Sequence, residues 1–403
     1  LKYSVIIAER NEPDLVATVD NIKANSAAHV IVMSDKDGKG PQYMRNKGIE
    51  LASGSEVVIV MDGHMRVKAG TLDAMAAWCT DNPKSVAVAE CFHHDEETWT
   101  GQPYSGARFA WKDHGKDADE PQSFTAKWRE DHTVGQIPCV MGACYGMARD
   151  WYINGLRKPW AFGTGWGCDE EIISAATWLR GGTVDLLPLQ VWHRARKPVQ
   201  VPYNLSRREL LGVWANRTRT IDMLPMPTEQ KTELLRHIMP ALTAKEWREV
   251  NSINKIFADD VEAYREFLSN GPMDWATFRN MIGKETVKPM NMKQMRTIAK
   301  SKGITVPFGC KKADLTKLLQ TSNGFDAVEA EPKPKPETQK TRANWGPNEI
   351  NNAGRRCCVG CSGGNTTVYR TIAGVGDSVP TRRYRDCSDC GEKFPTREFI
   401  TMK

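Results

Sequence analysis

Short, almost continuous apolar runs alternate with amphipathic stretches through the first 190 residues. Residues 3–8, 28–33, 56–61 and 85–91 are of strand length and mostly apolar, as expected for strands covered on both faces. Between them, Leu15, Val19 and Ile22 recur at helical spacing within residues 14–26. Residues 41–52 and 70–79 also fit helices, and the polar turn 35–40 separates strand from helix. This alternation predicts an α/β fold with a parallel, doubly wound sheet. Ligand would enter at the C-terminal ends of its strands. No Gly-x-Gly-x-x-Gly follows a strand, which argues against a dinucleotide site.

The pattern changes after residue 91. Residues 92–135 are rich in His, Trp, Asp and Lys and read as an excursion, with His93, His94, Trp99, Trp111 and Trp128 available for stacking. An apolar stretch at 137–147, an aromatic Gly-rich loop at 160–168, a helix at 169–180 and a strand at 183–188 follow. Helices are predicted at 204–220 and 227–238, with more helix in 240–280. Residues 290–320 form two short helices around Gly303, with Met292, Met295, Ile298 and Ala299 on one face of the first and Leu315, Leu318 and Leu319 inward on the second. Residues 327–345, with their Pro-Lys-Pro-Lys-Pro run, read as a stiff linker. The domain reading is a catalytic part (1–225), a helical extension (226–285), a helix-extended-helix module (286–322), a linker (323–345) and a cysteine-rich end (346–403).

Charge sharpens this division. The net charge is +6 over 403 residues, but residues 1–280 hold 33 Lys/Arg against 37 Asp/Glu. Residues 281–320 hold nine against two, and 341–403 ten against six. A basic back on a near-neutral body points to a polyanionic partner. No apolar run is long enough to cross a bilayer, and the chain opens without a basic-then-apolar leader. A cytoplasmic protein with no membrane partner is therefore expected, and a monomer. Five of the 11 cysteines crowd the end of the chain. Cys358-x-x-Cys361 and Cys387-x-x-Cys390 have the spacing of a four-sulfur structural Zn²⁺ ribbon.

The candidate chemistry sits at a strand exit. In Asp62-Gly63-His64, a carboxylate and an imidazole one residue apart suit a borderline cation such as Mn²⁺. His193 is the candidate third ligand. Such a cation would act as a Lewis acid on a departing diphosphate.

Several segments together resemble the GT-A glycosyltransferases, above all the catalytic domain of the polypeptide N-acetylgalactosaminyltransferases. Ser4–Glu12 is similar to that family's opening strand with its Asn-Glu signature. Asp62 and His64 fall on its Asp-x-His motif, and Met141–Gly146 on its Met-Ala-Gly-Gly segment, followed by Arg149-Asp150-Trp151. Trp166-Gly167-Cys168-Asp169 falls on its Trp-Gly-Gly-Glu loop, and His193-Arg194-Ala195-Arg196 on its His-x-x-Arg segment. Asn204–Trp214 echoes the piece after that. The resemblance covers about residues 1–220 and carries a set of roles. It implies Mn²⁺ or Mg²⁺ on Asp62, His64 and His193, and a UDP-sugar donor. Arg196 would touch the diphosphate. Asp35, Arg45 and Gly48 would lie near the nucleotide, and Glu9 and Asn11 would line the base and ribose pocket. Trp166 and Asp169 would face donor sugar and acceptor. Retention at the anomeric carbon is implied as well. Asp169 stands where the family has Glu, so the neighbours Glu170 and Glu171 are further candidates, and a carboxylate here also suits a general base in an inverting reaction.

The family's usual lectin domain has no counterpart here. Residues 290–320 instead resemble small SAP-type modules, with Lys300, Lys302, Lys311, Lys312 and Lys317 as candidate phosphate contacts. Arg382, Arg383 and Arg385 lie between the cysteine pairs and extend that set. The acceptor expected from these basic parts is a hydroxymethylated pyrimidine in DNA, as in a bacteriophage enzyme acting in the cytoplasm of its bacterial host. Two alternatives stand beside it: a protein Ser/Thr O-glycosyltransferase, and a nucleic-acid-binding protein with a relic sugar-nucleotide fold.

Overall fold

The computed structural model describes residues 1–93, 104, 106–110, 124–141, 143–194, 205–238, 242–282, 287–307 and 309–321, and strand backbone between 366 and 398. The chain divides into two compact units, Leu1–Ala327 and Val328–Lys403.

The first unit opens with β1 (Tyr3–Glu9), α1 (Leu15–Asn25), β2 (His29–Ser34), α2 (Pro41–Leu51) and β3 (Val57–Met61). A three-residue β4 (Met65–Val67), α3 (Thr71–Asp81) and β5 (Ser85–His93) follow. The apolar runs form strands because both faces are covered: every residue of β3 is buried, as are the first five of β1. Helix α2 lies directly on β1. A Cβ at Gly48 would sit 2.4 Å from Ile6 Cγ2, so only glycine permits that approach.

The excursion supplies a two-stranded hairpin, β6 (Ala107–Ala110) with β7 (Thr125–Trp128), and a short β8 (Gly135–Gln136). Strand β9 (Cys144–Ala148) then inserts between β3 and β5, antiparallel to both. The sheet is therefore mixed, where alternation predicted it parallel. No crossover helix is described between β5 and β9, and a chain that returns without one can pair antiparallel. A π-helical turn (Trp151–Gly155), a 3-10 turn (Pro159–Phe162), α4 (Asp169–Leu179) and β10 (Thr183–His193) follow. Strand β10 runs parallel to β5. It continues beyond the predicted end at residue 188, because its register shifts between Leu187 and Gln190 and pairing resumes after Pro188.

Helices α5 (Arg207–Met223), α6 (Thr228–Ile238), α7 (Ala244–Lys255), α8 (Ala258–Ser269) and α9 (Trp275–Ile282) come next. Strand β11 (Lys288–Pro289) and helices α10 (Met292–Ser301) and α11 (Lys312–Thr321) complete the unit. The sheet order is β11-β8-β10-β5-β9-β3-β1-β2, with β4 paired to β10. Met295, Ile298, Leu315 and Leu319 of the last two helices are buried in the same core cluster as the sheet. The expected boundaries at 225 and 285 thus fall inside one unit, and the helical pair is part of it.

The second unit contains an antiparallel meander, β12 (Thr366–Ile372), β13 (Thr381–Cys387) and β14 (Lys393–Glu398). Cys387, Arg382, Arg383 and Arg385 lie on β13. Cys358, Cys361 and Cys390 lie outside the described residues, and so does Arg196.

Candidate active site

The metal-ligand candidates converge because three strand ends meet. Asp62 follows β3, and its amide donates to Ala143 O at 3.0 Å. The Thr18 hydroxyl donates to Gly63 O at 2.8 Å and accepts from the Met65 amide at 3.2 Å, bracing the turn from within. Strand β4 then pairs antiparallel with the end of β10, placing Met65 opposite His193. The Arg194 amide closes the pairing on His64 O at 3.1 Å. One ligand atom from each of Asp62, His64 and His193 comes within 4.8 Å of the others. The two imidazole rings are 4.6 Å apart, centroid to centroid.

Both imidazoles are held by the nitrogen turned away from that point. His64 Nδ1 lies 2.9 Å from Glu12 Oε2. A carboxylate only accepts, so Nδ1 carries the proton and Nε2 is the nitrogen left to ligate. His193 Nδ1 lies 2.7 Å from the Tyr104 hydroxyl. His193 Nε2 is buried and has no hydrogen-bond partner among the described residues; Asp62 Oδ2, its nearest acceptor, stands 3.5 Å away. A buried, orphaned nitrogen beside a carboxylate and a second oriented imidazole is the donor set a divalent cation requires. Burial alone would raise the Asp62 carboxyl, but His193, Arg45 and His64 hold it well below the usual carboxylate range. It is therefore ionised and able to ligate.

Arg45 ties this point to the start of α4. Its guanidinium reaches Asp62 Oδ1 at 3.3 Å and the Tyr145 hydroxyl at 3.1 Å, and pairs tightly with Asp169. Asp169, Glu170 and Glu171 occupy the first turn of α4, where the helix dipole favours negative charge. They have different fates. Asp169 is buried against Arg45. Glu171 Oε1 accepts from the Ala126 amide at 2.8 Å and from the Thr125 hydroxyl at 3.2 Å, which fastens β7 to α4. Glu170 lines the cleft, and its pKa is raised, chiefly by burial and against the pull of Arg45.

These groups share a cleft of about 700 Å³. Its far wall is α5, through Glu209, Val213 and Arg217, and its near wall is β7, through Thr125, Ala126 and Trp128. Trp166 stands at the rim, 52% exposed. Glu9, Asp35, Arg45, Asp169 and Glu170 all line the cleft. The Asp35 carboxylate already accepts from the Lys39 and Gly40 amides, at 2.7 and 3.0 Å. Two expected residues lie elsewhere. Asn11 is exposed, outside the cleft lining, with a φ of 53° that turns the chain away after β1. Gly48 faces Ile6 in the core instead of a nucleotide, because its missing side chain serves helix–sheet contact.

Sequence reasoning gave no role to Glu12 or Tyr104. Glu12 sat inside the quoted Asn-Glu signature. Tyr104 lies in an aperiodic stretch and gave no signal. Of the candidate phosphate contacts, Lys300, Lys311, Lys312 and Lys317 are exposed. Lys302 is half-buried, and burial lowers its pKa to about 8, so it does not share their solvated state.

Residues 2–154 match the family model for Glycosyl transferase family 2. No curated protein matches the chain. Among solved structures, the chain resembles GalNAc-T7, solved with UDP, GalNAc and Mn²⁺. Identity is 17% and the TM-score 0.52, over 70% of this chain and 56% of that one. The chain thus spans little more than half of GalNAc-T7. It also matches S. aureus TarS residues 1–349, solved with UDP-GlcNAc, at 11% identity and a TM-score of 0.37, over 77% of this chain and 95% of that one. The likeness to GalNAc-T7 gives the fold, a GT-A-type mixed α/β sheet. The family match takes in Asp62 and His64, and strand β10, outside it, brings His193 to them.

Proposed function

We propose that this enzyme moves a sugar from a UDP-sugar to a hydroxyl on a macromolecule, with Asp62, His64 and His193 holding Mn²⁺ or Mg²⁺. The observation that carries this reading is the triad itself, with an orphaned His193 Nε2 and both imidazoles oriented through Nδ1. A bound divalent cation supplies charge neutralisation for a departing diphosphate. Glu9, Asp35 and Arg45 form the nucleotide side of the cleft, with Arg196 as a further diphosphate contact. Trp166 and Asp169 form the sugar and acceptor side.

Glu170 takes the proton. Asp169 is committed to Arg45 and Glu171 to β7, which leaves Glu170 as the α4 carboxylate with neither tie. A carboxyl with a raised pKa accepts a proton more readily near neutrality. The acceptor oxygen bonds to the anomeric carbon as that carbon's bond to the diphosphate oxygen breaks. The bonding pair leaves with UDP and the hydroxyl proton goes to Glu170. Direct displacement of this kind inverts the anomeric carbon, in place of the retention that the family resemblance implied.

A Ser or Thr hydroxyl of a polypeptide is the first acceptor reading, supported by the likeness to GalNAc-T7 and the resemblance to the polypeptide transferases. A hydroxymethylpyrimidine in DNA is the second, favoured by the basic excess of residues 281–320. The paired cysteines Cys358, Cys361, Cys387 and Cys390 support a structural Zn²⁺ in the second unit, to be read as metal content of the full chain.

The test is incubation with radiolabelled UDP-glucose, UDP-GlcNAc or UDP-GalNAc, with Mn²⁺, against Ser/Thr peptides and hydroxymethylated or plain DNA. Label is expected in one polymer, lost with chelator and in Asp62→Asn, with the anomeric configuration read by NMR. A folded enzyme that neither transfers nor hydrolyses any of these donors would overturn the proposal.

A further inference from the structure

The last helical pair of the first unit has two unlike faces. Met295, Ile298 and Ala299 of α10, with Leu315 and Leu319 of α11, are buried in the sheet's core. The opposite stripe of α10 carries Lys293, Arg296 and Lys300, all exposed, at spacings of three and four residues. At a rise of ~1.5 Å per residue that stripe is ~10 Å long and as stiff as the helix. Lys311 and Lys312, at the start of α11, are exposed as well.

The described residues 287–321 hold eight Lys/Arg and one acid, Asp314, a balance of 8 − 1 = +7. No ion pair among the described residues engages Lys293, Arg296, Lys300, Lys311 or Lys312. Stability does not explain this placement. Two lysines at a helix N-terminus oppose the dipole, which favours anions there. Holding so many like charges together, on a scaffold anchored in the core, is unfavourable unless an anion neutralises them.

We propose that this outer face binds the phosphate backbone of duplex DNA. A polymer with one charge per ~1.7 Å of axis matches a rigid row of cations better than a compact anion does. An anionic membrane is disfavoured, because no large apolar side chain is exposed among the described residues of 287–321 to enter a lipid surface. The proposal is independent of the sugar-transfer chemistry.

Fluorescence anisotropy of the full chain with a plain 20-bp duplex (~20 bp suffices for a backbone contact), without donor or Mn²⁺, tests it across a salt series. Wild type should bind, with log K falling linearly against log salt. The triple variant K293E/R296E/K300E should lose about tenfold or more in affinity at ~0.1 M salt, with a slope shallower by ~2–3. Its thermal melt should be unchanged, since all three side chains are exposed. Equal affinity and slope in variant and wild type would overturn the proposal, even if the duplex binds elsewhere on the chain. So would a charge-dependent loss seen only with phosphatidylserine vesicles. Because the assay contains no donor, its failure leaves sugar transfer untouched.

Discussion

Tyr104 shows how much one side chain controls at the metal point. Its hydroxyl is the group 2.7 Å from His193 Nδ1, while Trp128 packs edge-on against its ring at 4.5 Å and His93 lies at 4.5 Å. The ring is thus fixed from two sides, and the imidazole's direction follows. Tyr104→Phe removes only that oxygen. Partners of this kind are worth about 10–100-fold in metal affinity. Isothermal titration with Mn²⁺ should show a loss of that size with little change in melting temperature. Unchanged affinity would mean that His193 is held by its strand alone. Arg45 works in the other direction: one buried guanidinium bridges two carboxylates, those of Asp62 and Asp169.

Among the elements, α5 carries the far wall of the cleft, and its start is secured twice. Ser206 and Glu209 form a reciprocal capping box. Glu209 also pairs with Arg10 at the exit of β1, across 199 residues of chain. Ser206→Ala should cost about 1 kcal/mol, read from the urea midpoint. Burial pushes the Glu209 carboxyl up, but Ser206 and Arg10 outweigh it and hold its pKa to about 2, against 4.5 unperturbed. A depressed acid stabilises the fold fully above its unfolded value and loses that contribution as pH falls. The stabilisation should therefore fade between pH 4.5 and 2. Glu209→Gln keeps the cap but not the charge, so its stability should fall less over that interval. A parallel acid limb in both proteins would refute the pairing.

For the molecule as a whole, the main consequence is that the basic helical pair is built into the core of the first unit. Ile298 is 1% exposed within the common core. Ile298→Ala should cost about 2–5 kcal/mol and lower the unfolding transition of the entire first unit. A separate, early transition confined to the pair, seen by hydrogen exchange, would contradict this. No helix among the described residues is long and apolar enough to cross a membrane.

Local pattern determined the strands, the helices between them and the chemistry at their exits. A buried strand must be apolar and a crossover helix must be amphipathic, so β1 to β3 with α1 and α2 were legible. Asp62, His64 and His193 were also legible as residue types, because cation ligation admits few side chains. What the linear pattern lacked was every choice made by distant contact. It gave no sign that β9 would run antiparallel, that β10 would continue past Pro188, or that the basic pair would share the sheet's core. The division of labour among Asp169, Glu170 and Glu171 is of the same kind. Three adjacent acids are equivalent in sequence, and only Arg45 on one side and β7 on the other make them unequal.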